Sequence, residues 1–96
     1  MPTYVILGKY TLQGIRKIKA TTKRAEAFRN LAKKMGVKVK DIYWTMGQYD
    51  VVTIIDAPND ATATRLLLAA GSMGNVQTET LRAYTASEVD PILKGM

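Results

Sequence analysis

Stretches of β-branched and aromatic residues alternate along this chain with stretches whose apolar residues recur at every third and fourth position. Thr3–Tyr10 is of the first kind and predicts a strand. Gln13–Ala20 is short and basic and predicts a helical turn or loop. Phe28, Leu31, Ala32 and Met35 then fall at i, i+3, i+4 and i+7, which gives a helix one apolar face. Thr21 or Thr22 can cap that helix and Glu26 suits its first turn. Lys33 and Lys34 suit its last turn, and Gly36 stops it. Val37–Met46 and Asp50–Ala57 predict two further strands, joined through Gly47-Gln48-Tyr49-Asp50 as a tight hairpin. Pro58-Asn59-Asp60 marks a second helix start with Asn59 as cap. Ala63, Leu66, Leu67 and Ala70 form its buried stripe, and the Gly71–Gly74 region ends it. Asn75–Tyr84 predicts a fourth strand, and Glu88–Lys94 a short terminal helix containing Pro91.

The order β-α-β-β-α-β in 96 residues predicts a single domain, residues 1–96, of the α+β class. The expected fold is a ferredoxin-like sandwich: a four-stranded antiparallel sheet with two helices on one face. In that topology strands one and three are central, and here they are the most apolar. Tyr4, Ile6 and Tyr10 occupy one phase of strand one, and Val5 and Leu7 the other. Strand three likewise sets Val51 and Ile55 against Val52 and Ile54. A sheet with one wet face shows alternation of apolar and polar residues. Apolar residues in both phases predict that the face without helices is covered too, by another copy packed sheet to sheet.

Composition narrows the chemistry. The chain has no cysteine and no histidine. Disulfides, thiolate nucleophiles, Cys- or His-ligated metals and histidine acid–base catalysis are thereby set aside, and no cofactor is expected. Nothing near Met1 resembles a signal peptide, and the apolar runs around Val51–Ile55 and Leu66–Ala70 are far too short to span a membrane. A cytoplasmic protein is expected. The net charge of +6 is unevenly placed: Arg16–Lys40 holds ten basic residues against Glu26 alone, a local +9.

The segment Ile42-Tyr-Trp-Thr-Met-Gly-Gln-Tyr-Asp-Val-Val52 resembles the signature of the GYD domain family, with Gly47, Tyr49 and Asp50 in the eponymous places and Gln48 interposed. Asp56-Ala-Pro-Asn-Asp60 and Gly74-Asn-Val-Gln-Thr-Glu-Thr-Leu-Arg-Ala83 are similar to the same family, so the resemblance runs over roughly residues 3–88. It implies a ferredoxin-like fold of the dimeric α/β-barrel type and no particular activity.

The side chains able to carry chemistry are few. Tyr49 and Asp50 present a phenol and a carboxylate at the hairpin, although an aspartate in a turn also commonly accepts backbone N–H groups. Tyr43 and Trp44 are adjacent and face opposite sides of their strand. Ile42, Trp44 and Met46 form the expected core phase, which leaves Tyr43 on the open face. In strand four, Thr78, Thr80 and Arg82 share one face, and Glu79 shares the other with Leu81. Tyr43, Tyr49, Asp50, Glu79 and Arg82 are therefore the candidate ligand contacts, in a homo-oligomer binding a small organic molecule between its sheets. Asp50 and Glu79 are the candidate bases should that oligomer be a cofactor-free enzyme. The alternative is an interaction protein whose basic Arg16–Lys40 segment meets an acidic partner or nucleic acid. Nucleic acid is the weaker partner, because Phe28 is the segment's sole aromatic residue and lies on the core face of its helix.

Overall fold

A computed structural model describes all residues from Met1 to Met96. The chain runs β1 (Thr3–Tyr10), α1 (Leu12–Arg16), a single 3-10 turn (Ile18–Ala20), α2 (Thr21–Lys34), β2 (Lys38–Trp44), β3 (Val51–Asp56), α3 (Asp60–Ser72), β4 (Val76–Ala83) and α4 (Ala86–Leu93). The strands form one antiparallel sheet in the order β2-β3-β1-β4, with the two apolar strands central as expected. α2 and α3 cover one face. Tyr4 pairs with Ile55 and Ile6 with Thr53 across β1 and β3, and these meet Ala32 of α2 and Ala63, Leu66 and Leu67 of α3 in the core. Ile55 and Leu66 are fully buried.

The ends of the elements follow from local chemistry. Gly36 and Gly74 take φ of 73° and 83°, left-handed conformations that terminate α2 and the turn after α3. The Asn59 side chain accepts the Thr62 N–H at 2.8 Å and caps α3. α2 starts otherwise than its sequence suggests: the 3-10 turn leads straight into it, its N-cap position is Ala20, and no side chain caps it. Thr21 is thereby free to bond elsewhere. α4 starts at Ala86, two residues ahead of the expected start at Glu88, because Thr85 and Glu88 form a capping box. The Thr85 backbone N–H donates to the Glu88 carboxylate, and this, with the Thr85 hydroxyl and Arg82 nearby, holds the Glu88 carboxyl below its ordinary value against a smaller effect of burial.

β2 is irregular. Val39 pairs with Ile55 but Asp41 pairs with Ile54, so Lys40 is an extra residue on the outer strand, a bulge. Trp44 stays on the helix-covered face, opposite Val51, yet it is 46% exposed. Met46, expected beside it in the core, lies beyond the strand end and is 98% exposed. The reason is the spacing of the roof: α2 and α3 barely touch each other, and the sheet end nearest the hairpin is left partly uncovered.

Candidate functional site

The face without helices carries a continuous apolar band. Val5 sits beside Ile54 and Leu81, and Leu7 beside Val52, all in the outward phase of β1, β3 and β4. Tyr43 extends the band on β2, opposite Val52. Leu81 and Tyr43 are 44% and 53% exposed, and Val5, Leu7, Val52 and Ile54 are only half-buried although they lie in central strands. The band is rimmed by Lys9, Gln77 and Glu79 at one end and by Asp41 on the β2 side.

Of the sequence candidates, Tyr49 and Glu79 meet at the edge of this face. The Tyr49 hydroxyl donates to the Glu79 carboxylate at 2.8 Å, and the Lys9 ammonium lies 5.4 Å from the Tyr49 ring centre. The bond to Glu79, and then partial burial, raises the Tyr49 phenol above its ordinary value, since the hydrogen bond and the carboxylate's charge both favour the protonated form. A small pocket of about 210 Å³ lies between Leu7, Lys9, Tyr49, Gln77, Thr78 and Glu79. Lys9 is not among the sequence candidates, although alternation from Val5 and Leu7 places it on this face.

The other candidates stand apart. Tyr43 lies in the row Tyr43–Val52–Leu7–Glu79, three strand spacings or about 14 Å from Glu79. Asp50 serves the hairpin: its backbone N–H donates to the Gly8 carbonyl at 2.8 Å, and its carbonyl accepts the Thr45 N–H at 2.8 Å. Its carboxylate accepts the Tyr10 N–H at 2.9 Å, where pairing between β1 and β3 has run out. Arg82 is on the helix-side phase of β4, opposite to Glu79. Its guanidinium stacks 4.3 Å from the Tyr84 ring centre and 5.6 Å from that of Tyr4, donates to the carbonyls of Thr3 and Ala83, and pairs with Glu88 at 3.7 Å. Tyr4 itself is 3% exposed and donates to Asp60, and burial followed by that bond raises its phenol.

The basic segment is partly spent on the fold. Arg24 donates to the carbonyls of Lys17 and Gly14, Arg29 to that of Val39, and Lys40 pairs with Asp56 at 3.9 Å. No group of three or more Asp and Glu side chains could hold a metal ion, and no helix is long and apolar enough to cross a membrane.

Comparison with known proteins agrees with this architecture. A protein of Thermus thermophilus, named glutamine synthetase and cystathionine β-lyase binding protein, is 33% identical over 95 residues, covering 98% of this chain and 100% of its own. A crystal structure of a Thermus thermophilus protein superposes with a TM-score of 0.59 at 22% identity, covering 90% of this chain and 96% of its own. The solution structure of the C-terminal domain of the MgtC protein from Mycobacterium tuberculosis superposes with a TM-score of 0.57 at 14% identity, covering 88% of this chain and 89% of its own. These two likenesses concern the fold alone. The sequence profile of the GYD domain matches residues 4–93, essentially the whole chain, with the Gly47–Asp50 hairpin inside it, and the protein belongs to the GYD domain family.

Proposed function

We propose that this protein is a binding module: it pairs with a second copy through its open sheet face, as a dimeric α/β barrel, and in that form docks onto a metabolic enzyme in the cytoplasm. The observation that carries this reading is the uncovered apolar band of Val5, Leu7, Val52, Ile54, Leu81 and Tyr43. A band of that extent in the middle of a sheet marks an interface, because water gains nothing from contact with it. The rim carries both signs, Lys9 against Asp41 and Glu79, which suits a self-complementary two-fold contact. Enzyme binding is carried over from the Thermus relative, whose name states that it binds glutamine synthetase and cystathionine β-lyase.

The test is sedimentation velocity together with biolayer interferometry against purified glutamine synthetase and cystathionine β-lyase. Wild type is expected to sediment as a dimer and to bind one of the two. Leu7→Glu is expected to sediment as a monomer with an unchanged circular dichroism spectrum. A monomeric wild type, or a dimer that survives Leu7→Glu, removes the self-association. A dimer that binds neither enzyme removes the partner class.

A second reading is favoured by the Lys9–Tyr49–Glu79 group. Closed over by a partner sheet, its pocket would hold a small polar organic ligand, with Glu79 as the group able to take a proton. In that reading Glu79→Gln abolishes turnover while the fold and the dimer persist.

A further inference from the structure

A cavity larger than the one beside Glu79 lies on the other side of the sheet, where α2 and α3 part. It has a volume of about 320 Å³ and is lined by 19 residues, 13 of them hydrophobic. That volume falls within the range of small-molecule sites, about 300–1,000 Å³, and the lining is of the kind such sites use. Ile6, Phe28, Leu31 and Leu67 form its apolar interior, and Gly8 leaves the sheet floor open because it has no side chain there.

Five polar residues line it: Thr53, Asn75 and Thr78, and, at the start of α2, Thr21 and Arg24. Thr21 and Arg24, three residues apart and so on one face of α2, both line the cavity, as do Tyr10 at the end of β1 and Trp44 at the end of β2. Trp44 Nε1 donates to Thr21 Oγ1 at 3.1 Å, and the hydroxyls of Thr21 and Tyr10 share a bond of 2.8 Å. Those three groups own three polar hydrogens and make two bonds among themselves. One hydroxyl hydrogen is therefore left over, whichever way the hydroxyl pair is oriented. Arg24 uses two of its five N–H groups on backbone carbonyls, and no carboxylate lies within ion-pair distance of it. An apolar chamber with a free donor and an unpaired positive charge at one end is complementary to an amphiphilic anion.

We propose that this cavity binds a small carboxylic acid with an apolar body, either a fused aromatic ring or a short acyl chain. The body lies on Ile6, Phe28 and Leu67, and the carboxylate meets Arg24 and the spare hydroxyl of the Tyr10–Thr21–Trp44 group. The site faces away from the proposed dimer surface, so it can be filled in monomer and dimer alike. Its occupancy joins α2 to α3, which otherwise have little contact.

Trp44 is the only tryptophan, so its indole N–H is a single resolved reporter beside Thr21. The probes are naphthalene-2-carboxylate and decanoate, followed by amide, indole and methyl NMR spectra of the full chain. We expect saturable shifts of the Trp44 indole and of the Ile6, Leu31 and Leu67 methyls, with Leu7, Ile54 and Leu81 on the opposite face unmoved. The uncharged naphthalene-2-methanol is expected to bind about tenfold or more weakly than its acid, the difference a charged hydrogen bond makes. Arg24→Gln is expected to erase that difference, and Ala70→Leu, which fills the chamber, to abolish binding of both. Neither acid shifting the cavity methyls at millimolar concentration would overturn the proposal, as would shifts confined to the opposite face. Equal affinity of acid and alcohol for wild type would overturn the charged end without reliance on any variant.

Discussion

Replacing Asp50 with alanine separates its two readings, since the residue that looks chemically active is also the one that closes the hairpin. In the folded protein its carboxylate is the acceptor for the half-buried Tyr10 N–H at 2.9 Å, at the point where β3 no longer faces β1. Alanine leaves that N–H without a protein acceptor. A hydrogen bond to a charged group contributes about 1.5–3 kcal/mol, and a half-buried site, which water can partly reach, places this one near the lower end. A loss of about 1.5 kcal/mol lowers the Tm of a domain this size by roughly 6–12 °C, taking about 4–8 °C per kcal/mol. Asparagine keeps an oxygen at the same reach and loses only the charge, so Asp50→Asn should cost less than half as much. Urea unfolding followed by circular dichroism measures both, with an unchanged m-value as the check that the folded state is the same. If Asp50→Ala stays within about 0.5 kcal/mol of wild type, as ordinary surface changes do, the structural account of Asp50 is wrong. It is equally wrong if Asn and Ala are indistinguishable.

Two other perturbations test the description. Gly14 is buried with its Cα against the backbone of Asn75, so that a Cβ there would come within 2.0 Å of the Asn75 carbonyl oxygen. Gly14→Ala is expected to cost about 1–3 kcal/mol by forcing α1 off β4's entry, measured by urea unfolding, and a neutral result would refute that approach of the two segments. The Tyr49 phenol, raised first by its bond to Glu79, is expected to ionise above the ordinary tyrosine range in an alkaline spectrophotometric titration and to move back towards that range in Glu79→Gln, where only the smaller effect of burial remains. Because the folded value lies above the unfolded one, the neutral phenol's contribution is whole below the unfolded pKa and is lost as pH rises through the folded one. An unchanged titration in Glu79→Gln would break the pairing.

The fold could be read from residue periodicity because the two central strands, α2 and α3 are patterned by burial. Phe28, Leu31, Ala32 and Met35 do face the core, and Val5 with Leu7 does face away from it. What periodicity cannot carry is distance between elements. It places Trp44 correctly on the helix side but cannot show that α2 and α3 stand too far apart to cover it. The same gap makes the cavity, so that site is invisible in the sequence. Thr21 looks like a cap because threonine before an apolar helix commonly is one. The 3-10 turn ahead of it continues the coil without a break, and the Thr21 hydroxyl bonds with Tyr10 and Trp44 rather than capping the helix. The α4 start is legible in Thr85-Ala-Ser-Glu88, a capping-box spacing that outweighs the proline further on. Glu79 and Arg82 fall on opposite faces by strand alternation alone, which is why they do not meet.

The bulge at Lys40 governs what the sheet refuses as well as what it holds. An outer strand offers its unused N–H and carbonyl groups to any passing extended chain, and a regular one invites a fifth strand and then a sixth. Here the register with β3 slips between Val39 and Asp41, and the slip falls among Lys38, Lys40 and Asp41. A strand added alongside would find no straight row of partners and would have to crowd against charge. Growth by edge-to-edge stacking, the route towards fibres, is blocked at this border, whereas a contact through the broad face ends once that face is covered.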